Sequence, residues 1–190
     1  TPCKLSKSQY NGTILPRIAQ SALELAPDHD RSRTVTSRTA PRIRSTSAWN
    51  QAQIEAFLSA SRIPLRLACN AGQGFPLLNS LWFESRADGL WCATHASSAI
   101  VPFLQRDPRC AFEIALNDPP YCGVRGQARA ELSRTGASEL LQRLIARYLG
   151  DSNPALADWL MSRADDEYAI RLEPTWLTAW DYRPRMQPVP

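Results

Sequence analysis

Lysine is almost missing from this chain. Lys4 and Lys7 are its two lysines, and every basic residue after them is an arginine. An anion held by the body of the protein must therefore meet arginine, hydroxyls or backbone N–H groups. Histidine is nearly as scarce, with only His29 and His95. That shortage works against a zinc site and leaves His95 as the one plausible base for a Ser-His-Asp triad. The five cysteines (Cys3, Cys69, Cys92, Cys110 and Cys122) are odd in number and form no C-x-x-C pair. Cys69, Cys92 and Cys110 stand in apolar, strand-like runs. They read as buried free thiols of a reducing, cytoplasmic compartment. No apolar run approaches the ~20 residues of a membrane helix, so no membrane partner is expected.

Charge is present but unevenly placed. The net charge of +4 and pI near 9.0 suggest nucleic acid at first sight. Residues 1–48, however, hold eight Lys/Arg against three Asp/Glu, while residues 49–190 hold fourteen Arg against fifteen acids. The basic excess belongs to the N-terminal stretch, and the body offers no single-sign field to nucleic acid. With 44% hydrophobic and 21% charged residues the chain is globular and can bury a real core.

Residues 1–46 are rich in Ser, Thr, Arg and Pro and read as a flexible arm, with a short helix expected over Ile14 to Leu25. Asn11-Gly12-Thr13 matches a glycosylation sequon, but nothing else points to secretion. The folded body is expected from residue 47 to residue 190. Ser47 is a candidate cap for a helix whose stripe is Ile54, Phe57 and Leu58. Strands are predicted over Leu65 to Asn70, Pro76 to Ser85, Leu90 to Ala93, Arg109 to Leu116, Tyr121 to Leu132, Glu167 to Leu172 and Trp176 to Tyr182, with Pro174 breaking the last two apart. Amphipathic helices are predicted over Thr135 to Leu149 and Pro154 to Ser162. Six or seven strands, mostly joined by tight turns, with peripheral helices, imply a mainly β (α+β) small barrel.

The richest local signal is Leu90-Trp91-Cys92-Ala93-Thr94-His95-Ala96-Ser97-Ser98-Ala99-Ile100-Val101. It reads as strand, hydroxyl-rich loop and helix start, with Ser97 as the expected N-cap. Hydroxyls and free helix N–H groups delivered to one point can bind an anion. Arg66 alternates with Leu65 and Leu67, so it points away from their face, and its planar fork suits phosphate. Arg125 has the same chemistry, and Trp82 and Trp180 have faces on which a flat ring can stack.

The order of several short pieces resembles the pyridoxamine 5′-phosphate oxidase-like flavoproteins. These pieces are Arg66-Leu-Ala, Pro76 leading to Leu81-Trp82-Phe83, Leu90-Trp-Cys-Ala-Thr94, Ser98-Ala99, Arg106-Asp107-Pro108-Arg109, Val124-Arg125-Gly126 and Trp180-Asp181. Together they span about residues 50–186. The resemblance implies a split β-barrel, a homodimer, and one flavin mononucleotide (FMN) in each of two clefts between subunits. It assigns the phosphate to Arg66, Thr94, Ser98 and Ala99. It lays the flavin ring beside Leu67 and along Asn79, Ser80, Leu81 and Trp82. The second subunit would add Arg125 and Gln127, with Trp180 and Arg185. A deazaflavin or haem is the alternative cofactor, with His95 as the haem ligand. The implied activity is a flavin-dependent oxidoreductase acting on a small molecule. The alternatives are a non-catalytic flavin or haem binder, or a relative that has lost its cofactor. Two departures stand out. Relatives carry a Lys two residues after the junction Ser, where this chain has Ile100; if that position faces the phosphate, Ile100→Lys should tighten FMN. The C-terminal Tyr182-Arg183-Pro184-Arg185-Met186 lacks the Arg-x-His of dedicated vitamin B6 oxidases, so that reaction is not expected.

Overall fold

The computed structural model describes residues 41–72 and 74–186. The helix expected at Ile14 to Leu25, the sequon, Cys3 and His29 lie outside the described residues. In chain order the strands are β1 (Arg42–Ile43), β2 (Leu65–Asn70), β3 (Pro76–Leu81), β4 (Phe83–Arg86), β5 (Gly89–His95), β6 (Arg109–Ala115), β7 (Cys122–Ser133) and β8 (Glu167–Asp181). The helices are α1 (Gln51–Ala60), α2 (Ile100–Arg106), α3 (Ala137–Tyr148) and α4 (Pro154–Met161).

All eight strands belong to one sheet, in the order β3-β2-β6-β7-β8-β5-β4 with β1 added beside β8. Every pairing on that path is antiparallel; β1 runs parallel to β8. The expected mainly β barrel with peripheral helices is what the chain forms. The first and last strands of the path, β3 and β4, are joined by the single residue Trp82. A flat sheet cannot have its two edges one residue apart, so the sheet curls until they meet there.

Strand alternation then sorts the side chains. Leu65, Leu67, Phe83, Leu90, Cys92, Phe112, Ile114, Val124, Ile170 and Leu172 fill the inside, with Ile54 and Leu58 of α1 and Ile100 and Leu104 of α2. Outside, α3 lies on β5 and β8 and buries Leu140 and Leu144 against Trp82, Trp91, Ala93 and Ala169. On the opposite part of the outer surface, over β2, β3, β6 and β7, no helix is packed among the described residues; α2 meets β2 and β7 from the core side.

Four expectations change. The arm was expected to end at residue 46, but Arg42 and Ile43 pair with Trp176 and Leu177, and the Arg44 N–H donates to the Leu177 carbonyl at 2.9 Å. Helix α1 is capped by Asn50, not Ser47, in a reciprocal box with Gln53. The Ser47 hydroxyl instead donates to the Trp49 carbonyl and accepts from the Ala179 N–H. The strand expected from Pro76 to Ser85 divides at Trp82, where the sheet closes. The two closing strands are one, β8. Gln127 pairs with Trp176 and Ala128 with Pro174, so Thr175 is an extra residue on β8. This bulge accommodates a proline that has no N–H to give the ladder.

A candidate cofactor cleft on the open face of the sheet

On the uncovered outer face, side chains stand in rows set by strand register. Ser80, Arg66, Glu113, Arg125 and Thr178 form one row across β3, β2, β6, β7 and β8. Leu78, Ala68, Ala111, Gln127 and Trp176 form the next. These rows bound a cleft of about 400 Å³ lined by Arg66, Ala68, Leu78, Ala111, Glu113, Arg125, Gly126, Gln127 and Trp176. That volume lies within the range of cofactor and ligand sites. Ala68 and Ala111 make a low floor, and Leu78 and Trp176 stand at its ends. Four strand spacings put those ends roughly 19 Å apart along the curved row. Leu78 is 63% exposed, unusual for a leucine inside a sheet.

Gly126 lets β7 and β8 lie close beneath the cleft. A Cβ there would point to the core side and meet the Trp176 carbonyl oxygen and, at 3.0 Å, Leu177 and the Phe112 ring. The polar row alternates in sign as Arg66, Glu113, Arg125. No ion pair among the described residues ties these three together. One Arg66 amino group donates to Asn117 Oδ1 at 2.6 Å, and the rest of the fork has no hydrogen bond among the described residues. One row further on, Trp180 stands opposite Gly123. Its Nε1 is enclosed and has no hydrogen-bond partner among the described residues. Such an orphan donor costs roughly 1–3 kcal/mol and suits an incoming acceptor.

The predicted site residues divide into separate groups. Arg66, Ser80, Arg125, Gln127 and Trp180 share the outer face. Asn79 and Leu81 alternate with Ser80 and turn to the core side of β3, where Leu67 is fully buried. Thr94 also points inward, in step with Leu90 and Cys92, and is buried. Ser98 and Ala99 follow it in the loop before α2. Within one chain, Arg66 and Thr94 therefore face opposite sides of the sheet. Trp82 stacks on Tyr148 at 5.3 Å with rings 8° from parallel, so its face is already taken. Arg185 lies in the terminal turn, over the Tyr182 ring.

The β5–α2 junction differs from its expected form. Ala99, without a side-chain hydrogen bond, occupies the N-cap of α2. Ser97 turns back: its Oγ lies 2.8 Å from His95 Nδ1, which also accepts the Ser97 N–H. Ile100 is 0% exposed and belongs to the main core. Position 100 thus faces the core, which removes the condition under which Ile100→Lys was expected to tighten FMN. The aliphatic residue fits because this first helical position plugs the barrel.

Trp176 is the cleft residue the sequence reading did not single out. Its alternation with Thr178 and Trp180 was visible, but its place opposite Gln127 depends on the bulge at Thr175.

No protein-family model matches the chain, and no curated protein matches it. Solved structures do. The conserved hypothetical protein Rv2991 from Mycobacterium tuberculosis is 24% identical, with 78% of this chain and 95% of that one covered and a TM-score of 0.62. An F420 reductase is 22% identical over 65% of this chain and 94% of its own, with a TM-score of 0.52. A pyridoxamine 5′-phosphate oxidase candidate from Listeria innocua is 14% identical over 67% of this chain and 95% of its own, also at 0.52. The fold is the pyridoxamine 5′-phosphate oxidase-like split barrel. In this split barrel no helix among the described residues is long and apolar enough to cross a membrane.

Proposed function

We propose that this split-barrel protein binds a flavin-type cofactor, FMN or a deazaflavin, and serves as an oxidoreductase for a small molecule. The observation that carries the reading is the open-face cleft: a low alanine floor beneath two arginines, with an indole at one end. A flat ring can lie on Ala68 and Ala111. Arg66 and Arg125 supply charge-assisted hydrogen bonds for a phosphate or acidic tail, and Glu113 between them limits the net charge. The enclosed Trp180 Nε1 and the Gln127 amide offer donors for carbonyl oxygens. Bound there, a flavin would supply hydride or electron transfer, while these side chains orient it and keep water from one face.

The reading includes a homodimer. Asn79, Leu81, Thr94, Ser98 and Ala99 lie on the core side or at the barrel end, away from Arg66, Arg125, Gln127 and Trp180. One cofactor can touch both groups only if the open face of one copy meets the Asn79–Thr94 side of another. The solved structures with this fold include an FAD-binding protein and the F420 reductase, which favours a flavin. They also include the haem storage protein HutZ of Vibrio cholerae. A haem axial role for His95 is disfavoured by its surroundings, since Nδ1 is engaged by Ser97 and Nε2 lies 3.9 Å from Asp166 Oδ2.

Titration of the protein with FMN, riboflavin and haem, read by absorbance and flavin fluorescence, tests the reading. Saturable FMN binding, tighter than riboflavin binding, supports it. A Soret band without flavin uptake, or no uptake of any of the three, contradicts it.

A further inference from the structure

We infer that Trp176 is the stacking platform of the cleft and that the strap of residues 41–49 holds it in position. The inference rests on the flavin reading above and adds residues that reading had not assigned. Trp176 is fixed at two points. Its Nε1 donates to Gln127 Oε1 at 2.8 Å. The Arg44 guanidinium lies 3.8 Å from the centre of its ring. Arg44 is itself fixed: β1 pairs Arg42 with Trp176 and Ile43 with Leu177, and the Arg44 N–H is bonded to the Leu177 carbonyl. The strap continues through Ala48, whose N–H donates to the Ala179 carbonyl at 3.0 Å.

These contacts have chemical consequences. Arg44 covers one face of the indole and does not line the cleft, whereas Trp176 does. The indole is therefore braced from behind by a cation and presents its remaining surface to the cleft. Holding the ring beforehand removes the ordering cost that a loose side chain would add on binding. The indole N–H can only donate, so the amide of Gln127 must turn its oxygen to it. The Gln127 NH₂ group is then left as a donor at the cleft edge. An electron-rich ring beside an amide donor selects a planar, electron-poor heteroaromatic ring with carbonyl oxygens on its rim. Residues 41–49 thus belong to the binding site, although their composition continues that of the arm.

The test uses full-length protein and FMN as the probe, with the wild type compared with Trp176→Leu, Trp176→Phe and Arg44→Ala. Bound FMN in the wild type is expected to show quenched fluorescence and a long-wavelength charge-transfer shoulder. Trp176→Leu should lose the shoulder and bind about 5- to 20-fold more weakly. Trp176→Phe keeps the shape of the wall and should move the shoulder to shorter wavelength, because benzene is a poorer electron donor than indole. Arg44→Ala should weaken binding about 2- to 5-fold by freeing the indole. An unchanged shoulder and affinity in Trp176→Leu overturns the inference; if that variant does not fold, an unchanged spectrum in Trp176→Phe does so. Both outcomes leave the flavin reading standing. Failure of the wild type to take up FMN overturns the flavin reading and this inference together.

Discussion

Replacing Ile100 by Lys separates two accounts of the β5–α2 junction. If position 100 faces a phosphate, the substitution adds an ammonium–phosphate contact and tightens FMN. The structure predicts the reverse. Ile100 is fully buried with Val101 and Leu104 in the main core. Loss of its apolar burial costs about 1.5–3 kcal/mol. An ammonium in its place must be desolvated or deprotonated, which adds several kcal/mol more. A net loss of about 4 kcal/mol is a reasonable lower figure, since the side chain can partly snorkel from the start of the helix. For a domain of this size each 1 kcal/mol moves the melting temperature by about 2–4 °C, so Ile100→Lys should melt roughly 8–16 °C lower. Calorimetric melts with and without FMN and riboflavin give the answer. A variant melting within about 2 °C of wild type, and binding FMN but not riboflavin more tightly, would refute the reasoning, because position 100 would then face the phosphate and not the core.

Arg66→Ala should leave the melt nearly unchanged, because the residue is on the outer face, yet weaken FMN about 10- to 100-fold with little effect on riboflavin; isothermal titration of both ligands checks this. Gly126→Ala should destabilise the barrel by about 2–4 kcal/mol in urea unfolding, since its Cβ meets the Trp176 backbone oxygen and a β-ladder cannot yield. Glu167 is buried, and desolvation raises its carboxyl above the ordinary range despite Arg163 and Arg134 nearby. The folded state thus binds this proton more readily than the unfolded state, so the wild type loses stability as pH rises from the unfolded pKa through the folded one. Glu167→Gln should accordingly raise the urea midpoint at pH 7 and leave it unchanged below pH ~4; an equal effect at both pH values would contradict this assignment.

Much of the fold could be read from the chain because its signals are local. Asp88-Gly89 reads as a turn, and at Gly89 φ is +132° with the missing Cβ facing the Leu172 carbonyl oxygen, where no side chain fits. The stripe of Leu140, Leu141, Leu144 and Ile145 gives α3 its period and its buried face. The outward direction of Arg66 followed from alternation alone. Errors arose where a distant partner decides. Pro174 looked like a strand break, but the bulge at Thr175 restores pairing with β7. Trp82 looked like a ring-stacking residue, but Tyr148, on a helix far along the chain, takes its face. Arg42 and Ile43 carry no strand signal of their own and are recruited by the edge of β8. The same limit applies to the site. Arg66, Arg125 and Gln127 converge because of register between three strands, while the junction residues Thr94 and Ser98 lie on another side of the barrel.

The central claim is that the two groups of residues meet across a pair of chains. Mixed dimers test it directly. One variant would carry Arg66→Ala with Arg125→Ala, which damages the open face; the other would carry Thr94→Val with Ser98→Ala, which damages the junction. Each variant alone should bind FMN weakly. After unfolding and refolding together, each mixed dimer should regain one intact site, built from the junction of the first variant and the open face of the second. FMN titration of the purified mixed dimer should then give one wild-type-affinity site per dimer. A mixed dimer that binds no better than its parents, or a wild type that binds FMN fully as a monomer by sedimentation, would contradict the account.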